Sequence, residues 1–473
     1  DSLVAVALVG RLNTMLNATL RVSELFEAPT VEELTARLSR RVTTAPLPPI
    51  VRQTCRAAYP LSFGQRTVIS PRNDVYPTRF NCPGSFRLGG VMDAGRLEHA
   101  FQALIARHEI LRSAIDVAGE RQVVAASVPF ELPVIGCPNA EVEQRRAEFV
   151  RPFDVSRAPL LRAELLRVSA NEHWLLFDAH HAVTDAVSLA LMSRELFALY
   201  RDEVTAAPLL HYGDYAAWQQ QLVTSGAVAA DAECRRAALD GFVWTELPTR
   251  TGGGTMQYDR VAVEMACGHR TELTAACERA GVTTITLVLA SIAATVGRAT
   301  GQHDVTLGLR VSHRSDARLE RMIGTFAEDA ACRIRLSSRA PADIVADTRH
   351  ALAAVVDHPF HPYDALNEEV QAQRPTPNGE LFTIMVNYLP LIGLSCREMC
   401  ATFVAVPRAA TSKYDVNLRL LDGARLRFEA KYRRDRHTPG QIAAWLQDIA
   451  DTALRFARAL QSPHVAAAAA LVS

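Results

Sequence analysis

Residues 178–187 read "DAHHAVTDAV", directly after the apolar run "HWLLF" at 173–177. The run has the make-up of a buried strand. Two adjacent imidazoles and, four residues after the second, a carboxylate therefore stand at its end. Buried polar groups cost free energy unless they find partners. A metal site needs at least three ligands in workable geometry. If the strand continues through His180 and His181, the two rings point to opposite faces and do not easily share one ion. No HExxH occurs either, so no metal is assigned. Two loop histidines satisfied by backbone groups remain one reading of the segment. The other is a general base, because imidazole titrates near pH ~6.5 and can accept and return a proton at neutral pH. Such a base needs a fixed tautomer, set by a hydrogen bond to its other ring nitrogen. A turn bringing Asp185 beneath the histidines supplies rigidity, provided a cation offsets the burial of its carboxylate. GxSxG is absent, so no nucleophile elbow is recognised. The expected chemistry is direct transfer between two bound substrates rather than passage through a covalent acyl-enzyme.

Around this loop the pattern is α/β from residue 61. Periodicity predicts helices at 94–107, 188–204 and 211–223, and strands at 83–88, 111–117, 121–126, 162–168 and 173–179. "RHEILR" at 107–112 reads as a buried turn whose charges are paired rather than reactive, and Asp214 and Trp218 as packing residues. A second lobe begins near 256 with the strand "YDRVAVEM" and the helices "HRTELTAACERAG" and "TTITLVLASIAATVGRATG". It continues through "DVTLGLRV", "LFTIMVNYL", a hairpin turning at Asp422-Gly423 and a helix at 438–459. Two such lobes predict a site between them.

Upstream, residues 2–41 read as helices only, with Thr30 and Glu33 at capping-box spacing. Forty residues of helix bury little core alone. Either this piece packs on the lobes after it, or its first helix lies upstream. The next stretch, with prolines at 46, 48, 49 and 60, reads as a linker. The expected division is 1–41 helical, 42–59 linker, 60–235 first lobe, 236–462 second lobe and 463–473 low-complexity tail.

The 473 residues predict two or three domains. Fifty-one basic residues balance 51 acidic ones, so nothing points to nucleic acid or a membrane surface. No apolar run approaches the roughly 20 residues of a membrane span. The nine cysteines are scattered, "CREMC" at 396–400 being their only close pair, and read as reduced cytosolic thiols. The chain opens "DSLVAV" without Met or a signal peptide, which suggests a piece of something longer.

"HHAVTDA" resembles the HHxxxDG motif of nonribosomal peptide synthetase condensation domains, in the chloramphenicol acetyltransferase-like superfamily. "YPLSFGQR" at 59–66, "RHEILRSAI" at 107–115, "YGDYAAWQQ" at 212–220 and "MIGTFAEDAACRIR" at 322–335 resemble further motifs of that family, in family order. "HPFHPYDAL", "LFTIMVNYL" and "SKYDVNL" sit where later motifs belong. The opening "DSLVAVALVGRLN...LFEAPTVEELTARL" is similar to the latter part of a peptidyl carrier protein.

The resemblance implies a two-lobed α/β fold with a tunnel between lobes, preceded by a small all-α carrier segment. It implies an acyltransferase that joins a donor thioester on the upstream carrier to an amine on a downstream carrier, with adenylation domains adjacent, in the bacterial cytoplasm. By position His181 contacts the amine as base or positioning acceptor. His180 holds the loop, and Asp185 pairs with Arg314. Asn387 and Ala186 line the acceptor channel. Ser2 receives 4′-phosphopantetheine, and a hydroxyl at a helix N-terminus suits a phosphodiester; the plainer alternative is a simple cap. Two departures stand out. Ala186 replaces the motif's glycine, which would allow positive φ or close approach. Glu328 and Asp329 replace the family's "NT" on a segment expected to bridge the lobes. Epimerisation, ester formation and non-catalytic recruitment share the fold and stay as alternatives.

Overall fold

The computed structural model describes residues 2–16, 18, 20–28, 30–39, 47–54, 57–70, 77–204, 206–249, 257–314, 316–390, 401–406, 412–423 and 425–461. "CREMC" and the tail 463–473 lie outside them. The strands of the first half are β1 (Ala58–Pro60), β2 (Gly84–Gly89), β3 (Ser113–Asp116), β4 (Arg121–Val124), β5 (Val134–Gly136), β6 (Leu161–Ser169) and β7 (Glu172–Ala179). Those of the second are β8 (Tyr258–Glu264), β9 (Asp304–Ser312), β10 (Ala327–Arg335), β11 (Ile384–Pro390), β12 (Ala401–Ala405), β13 (Val416–Asp422) and β14 (Leu426–Arg433). Among the described residues they form three sheets, ordered β1-β4-β3, β12-β2-β7-β6-β5 and β10-β9-β11-β13-β14-β8.

The run that carries the histidines is the middle strand of the five-stranded sheet. Leu175, Phe177 and Ala179 of β7 enter the main first-lobe core, while Trp174 and Leu176 enter a smaller cluster behind it. Burial on both faces explains why the sequence there is continuously apolar instead of alternating. The helix Ala94–Arg107 covers the main core with Leu97, Phe101, Leu104 and Ile105, and Asp93 caps its start by accepting the Arg96 N–H at 3.0 Å. In the second lobe the helix Thr284–Thr300 is buried along nearly its whole length and stops at Gly301, whose φ is 74°.

Three expectations need correction. The strand expected at 111–117 is shorter: Glu109–Arg112 of "RHEILR" is a buried 3-10 turn, and β3 runs only from Ser113 to Asp116. The charges of "RHEILR" are paired as expected, Arg107 and His108 both meeting Glu195 at 2.6 and 2.9 Å. The helix predicted at 188–204 is Ala186–Tyr200, because Asp185 caps it. Finally, the lobes are not consecutive in the chain. Strand β12 pairs antiparallel with β2 in the first lobe's sheet. Leu319, Met322, Ile323, Phe326 and Phe360 are buried in the first lobe's core. These apolar residues lie in a stretch read as second lobe, and no local periodicity says which core takes them.

Of the linker, the described stretch 47–54 is held by the first and second lobes. Trp218 donates its indole N–H to the Pro48 carbonyl at 2.6 Å, Arg318 reaches the Ile50 carbonyl at 2.9 Å, and Asp214 accepts the Gln53 N–H at 2.8 Å. The helical segment packs on the downstream lobes. Arg11 of the helix Ser2–Leu16 forms a fork with Glu320 at 3.0 and 2.7 Å. Ser23 N–H donates to Asp357 at 3.2 Å. Among the described residues no single helix is long and apolar enough to cross a membrane; one bent pair passes together, and its second helix is core.

Candidate functional site

His180 closes β7 through a bridge to Asn81 and is buried, whereas His181 sits in the turn after it and is only half-buried. A buried backbone N–H can only donate, and the Ala182 N–H donates to His180 Nδ1 at 3.2 Å. That places the proton of neutral His180 on Nε2. Burial, with His181 and Arg162 nearby, pushes the His180 imidazolium down to about 4. Below it the Asp178 carboxylate accepts from Asn81 Nδ2 at 2.6 Å and meets Arg162 at 3.1 Å. His181 donates its backbone N–H to the Phe80 carbonyl at 2.7 Å, and its Nδ1 lies 3.2 Å from Thr325 Oγ1. The Phe80 ring packs edge-on to both imidazoles.

Asp185 does not touch the imidazoles. Its Oδ1 accepts the Ser188 N–H at 2.7 Å and its Oδ2 the Phe326 N–H at 3.0 Å. Arg314 Nη2 stands 3.4 Å from Oδ1 and donates to Ser188 Oγ at 2.7 Å. The other terminal nitrogen of Arg314 serves the Leu319 and Met322 carbonyls at 2.6 and 2.8 Å. The guanidinium also lies 3.9 Å from the centre of the Phe326 ring. A buried carboxylate with a cation and two N–H donors is a satisfied one.

The segment 59–66 belongs to the same assembly, a role its sequence alone left unexplained. Ser62 and Gln65 form a capping box. From there Gln65 Nε2 donates to the Ala182 carbonyl at 3.1 Å, while Ser62 Oγ is 2.6 Å from Tyr212 Oη, which donates to the Thr325 carbonyl at 2.6 Å. A Cβ on Gly64 would come within 2.9 Å of that carbonyl, and one on Gly324 within 2.0 Å of the Tyr212 ring. The S-x-x-Q spacing was the available signal.

Glu328 and Asp329 lie inside β10, in the second lobe's sheet, and not on the bridging segment, residues 313–326, that joins β9 to β10 and packs on the first lobe's core. Glu328 lies 2.8 Å from His313 Nε2 and accepts the Tyr363 N–H at 3.1 Å. Asp329 meets Arg310 at 3.0 Å and Lys413 at 3.6 Å, and accepts from Tyr414 Oη. Burial would raise its carboxyl, but Arg310, Lys413, Tyr414 and Arg79 together hold it below the usual range.

A family model described as the condensation domain matches residues 55–466, and one described as the phosphopantetheine attachment site matches residues 1–38. The chain belongs to the condensation-domain family. It is 31% identical over 391 residues to surfactin synthase subunit 1 of Bacillus subtilis (strain 168) and 28% identical over 428 residues to gramicidin S synthase 2 of Brevibacillus brevis. Those alignments cover 80% and 88% of this chain but only 11% and 10% of the relatives. Among solved structures it is similar to the X-domain from teicoplanin biosynthesis, with a TM-score of 0.77 and 23% identity over 87% of this chain and 97% of that one. It is also similar to the condensation domain of the Monacolin K polyketide synthase MokA, with a TM-score of 0.72 and 19% identity over 85% and 98%.

This nonribosomal peptide synthetase condensation domain thus comes after a carrier segment of the kind that holds 4′-phosphopantetheine covalently. Ser2 is the first residue of a 15-residue helix. Four expected residues are brought together: His180, His181, Asp185 and Arg314. Ala186 is exposed at the first helical position after Asp185. Only Glu120 and Asp202 among the described non-glycine residues have positive φ, so a glycine at 186 answers no conformational need. Asn387 lies on β11, bonded to Asn417 Oδ1 at 3.4 Å, and among the described contacts none joins it to the histidine loop. Its neighbours Val386 and Tyr388 point to the other face, into a cavity of about 810 Å³ roofed by Val9 and Leu20 of the carrier segment.

Proposed function

We propose that this condensation domain forms an amide bond between a donor acyl thioester on its upstream carrier segment and the amine of a carrier-bound acceptor. The amine nitrogen attacks the thioester carbonyl, the new C–N bond forms and the C–S bond breaks. The proton released by the amine passes to His181, which returns it to the leaving thiolate to give the pantetheine thiol. The reading rests on one observation: His181 is the half-exposed member of the pair, aligned by Phe80 and Thr325, while His180 and Asp185 are consumed by structure. Holding both substrates at one imidazole removes several kcal/mol from the barrier through orientation alone. Ser2 bears the 4′-phosphopantetheine, with residues 1–41 as carrier and 42–59 as linker. Neighbouring adenylation domains load the carriers in the bacterial cytoplasm.

The test loads Ser2 with an acyl-pantetheine donor, offers an aminoacyl carrier in trans, and follows the acyl group by intact-protein mass spectrometry. Transfer with an amide product is expected, and His181→Ala slows it by about 100-fold or more. Undiminished transfer in that variant removes His181 from the mechanism. Deuterium uptake at the donor α-carbon without transfer points to epimerisation instead.

A further inference from the structure

We infer that Thr325 is the positioning residue that holds His181 in its reactive tautomer by accepting from Nδ1–H, so that the base depends on the stretch just before β10 being seated on the first lobe. This deepens the proposed amide-forming reading and rests on it.

The two histidines face different partners. His180 accepts from a backbone N–H, which leaves no choice of tautomer. His181 Nδ1 faces a hydroxyl 3.2 Å away, and a hydroxyl can donate or accept. A lone pair on Nε2 is needed to take the amine's proton, so Nδ1–H donates to Thr325 Oγ1. The reverse arrangement would place the proton on Nε2 and leave no acceptor for the amine. The neutral imidazole with its proton on Nδ1 is the state that this hydroxyl holds.

Thr325 is not on the histidine's own element. It lies 144 residues away, between Gly324 and Phe326, in the buried stretch before β10. Its hydroxyl is placed by its backbone, which is clamped from the first lobe. Gln65 N–H donates to Ser62 Oγ at 3.1 Å, Ser62 donates to Tyr212 Oη at 2.6 Å, and Tyr212 donates to the Thr325 carbonyl at 2.6 Å. On either side, Ser188 Oγ donates to the Gly324 carbonyl at 2.7 Å, and Asp185 holds the Phe326 N–H. Gln65 also holds the Ala182 carbonyl beside His181. One capping box therefore fixes both ends of the His181–Thr325 contact. If the bridging segment lifts, the hydroxyl leaves with it.

The experiment uses the full chain with pantetheine-loaded donor, comparing Thr325→Val, which keeps the β-branched shape, with Thr325→Ser, which keeps the hydroxyl. The expected result is a fall in kcat of about 10- to 100-fold in the valine variant with KM little changed, and recovery to within about threefold in the serine variant. In parallel, ¹⁵N spectra of histidine-labelled protein, assigned by loss of one signal pair in His181→Gln, read the tautomer. Wild type is expected to carry the proton of His181 on Nδ1, and Thr325→Val to shift it toward Nε2. A valine variant with unchanged kcat, or a wild-type His181 protonated on Nε2, overturns the inference. Should wild type form no amide, the proposed reaction fails, while the spectra still report whether Thr325 governs the ring.

Discussion

Arg314 Nη2 stands 3.4 Å from Asp185 Oδ1 across 129 residues of sequence, and the same guanidinium holds two carbonyls of the turn just downstream of it. The pair thus ties the cap of the helix after the histidines to the bridging segment. Arg314→Met leaves a buried carboxylate without its cation, which costs about 3–5 kcal/mol. The unfolding midpoint in urea should fall accordingly, and amide formation should nearly vanish. Arg314→Lys should recover little, because one ammonium cannot serve an acid, a hydroxyl and two carbonyls. A methionine variant as stable as wild type would show the pair to be incidental.

His180 gives the fold a defined acid sensitivity. Its imidazolium is depressed from 6.5 to about 4 by burial, so the unfolded chain binds the proton first. The stabilisation is complete above pH ~6.5 and is lost as pH falls toward 4, on the order of 3 kcal/mol in all. His437, also pushed down to about 4 by burial, adds to the same window. The diagnostic is therefore the difference between wild type and His180→Asn, whose amide oxygen can still accept the Ala182 N–H. Thermal midpoints measured from pH 7 to 4 should converge as the pH drops; parallel curves would mean that His180 is not buried as a neutral ring.

Restoring the family's glycine at 186 should do little for the reaction. Ala186→Gly changes an exposed helical residue, so it should cost about 0.5 kcal/mol of stability and leave kcat within about twofold. A marked gain in rate with bulky acceptors would instead mean that the alanine methyl narrows the acceptor channel.

The Arg11–Glu320 fork is exposed and salt-sensitive, so it should act on carrier docking and not on folding. Arg11→Glu or Glu320→Arg should slow transfer from the attached carrier by no more than about fivefold, with recovery in the double swap. No loss in either single variant at low salt would show that the carrier reacts from a different pose.

Much of the site was legible from short-range pattern. The apolar run of β7, the capping box at Thr30 and Glu33, with N–H to side-chain distances of 3.1 and 3.2 Å, and the helix Ala94–Arg107 follow from local rules. Arg314 as the partner of Asp185 came from family likeness, since nothing near either residue announces the other. Asp214 and Trp218, read as packing residues, also hold the linker backbone, a role that depends on where residues 48 and 53 arrive. Glu328 and Asp329 looked like charges on a bridge. Only the register of β10 against β9, which pairs Asp329 with Arg310 and Glu328 with Val311, places them buried inside the second lobe, with Asp329 beside its cation.

Periodicity, capping and turn chemistry act over a few residues, so most of the long strands and helices and the loop that bears the histidines could be read directly from the chain, while β1, β5, β10 and β12 could not. Which imidazole is spent on structure and which is left half-open depends on partners that the chain delivers from far away: Phe80, Gln65 and Thr325. Hydrogen bonds are directional and short-ranged, so those assignments exist only once the bridging segment has been buried against the first lobe.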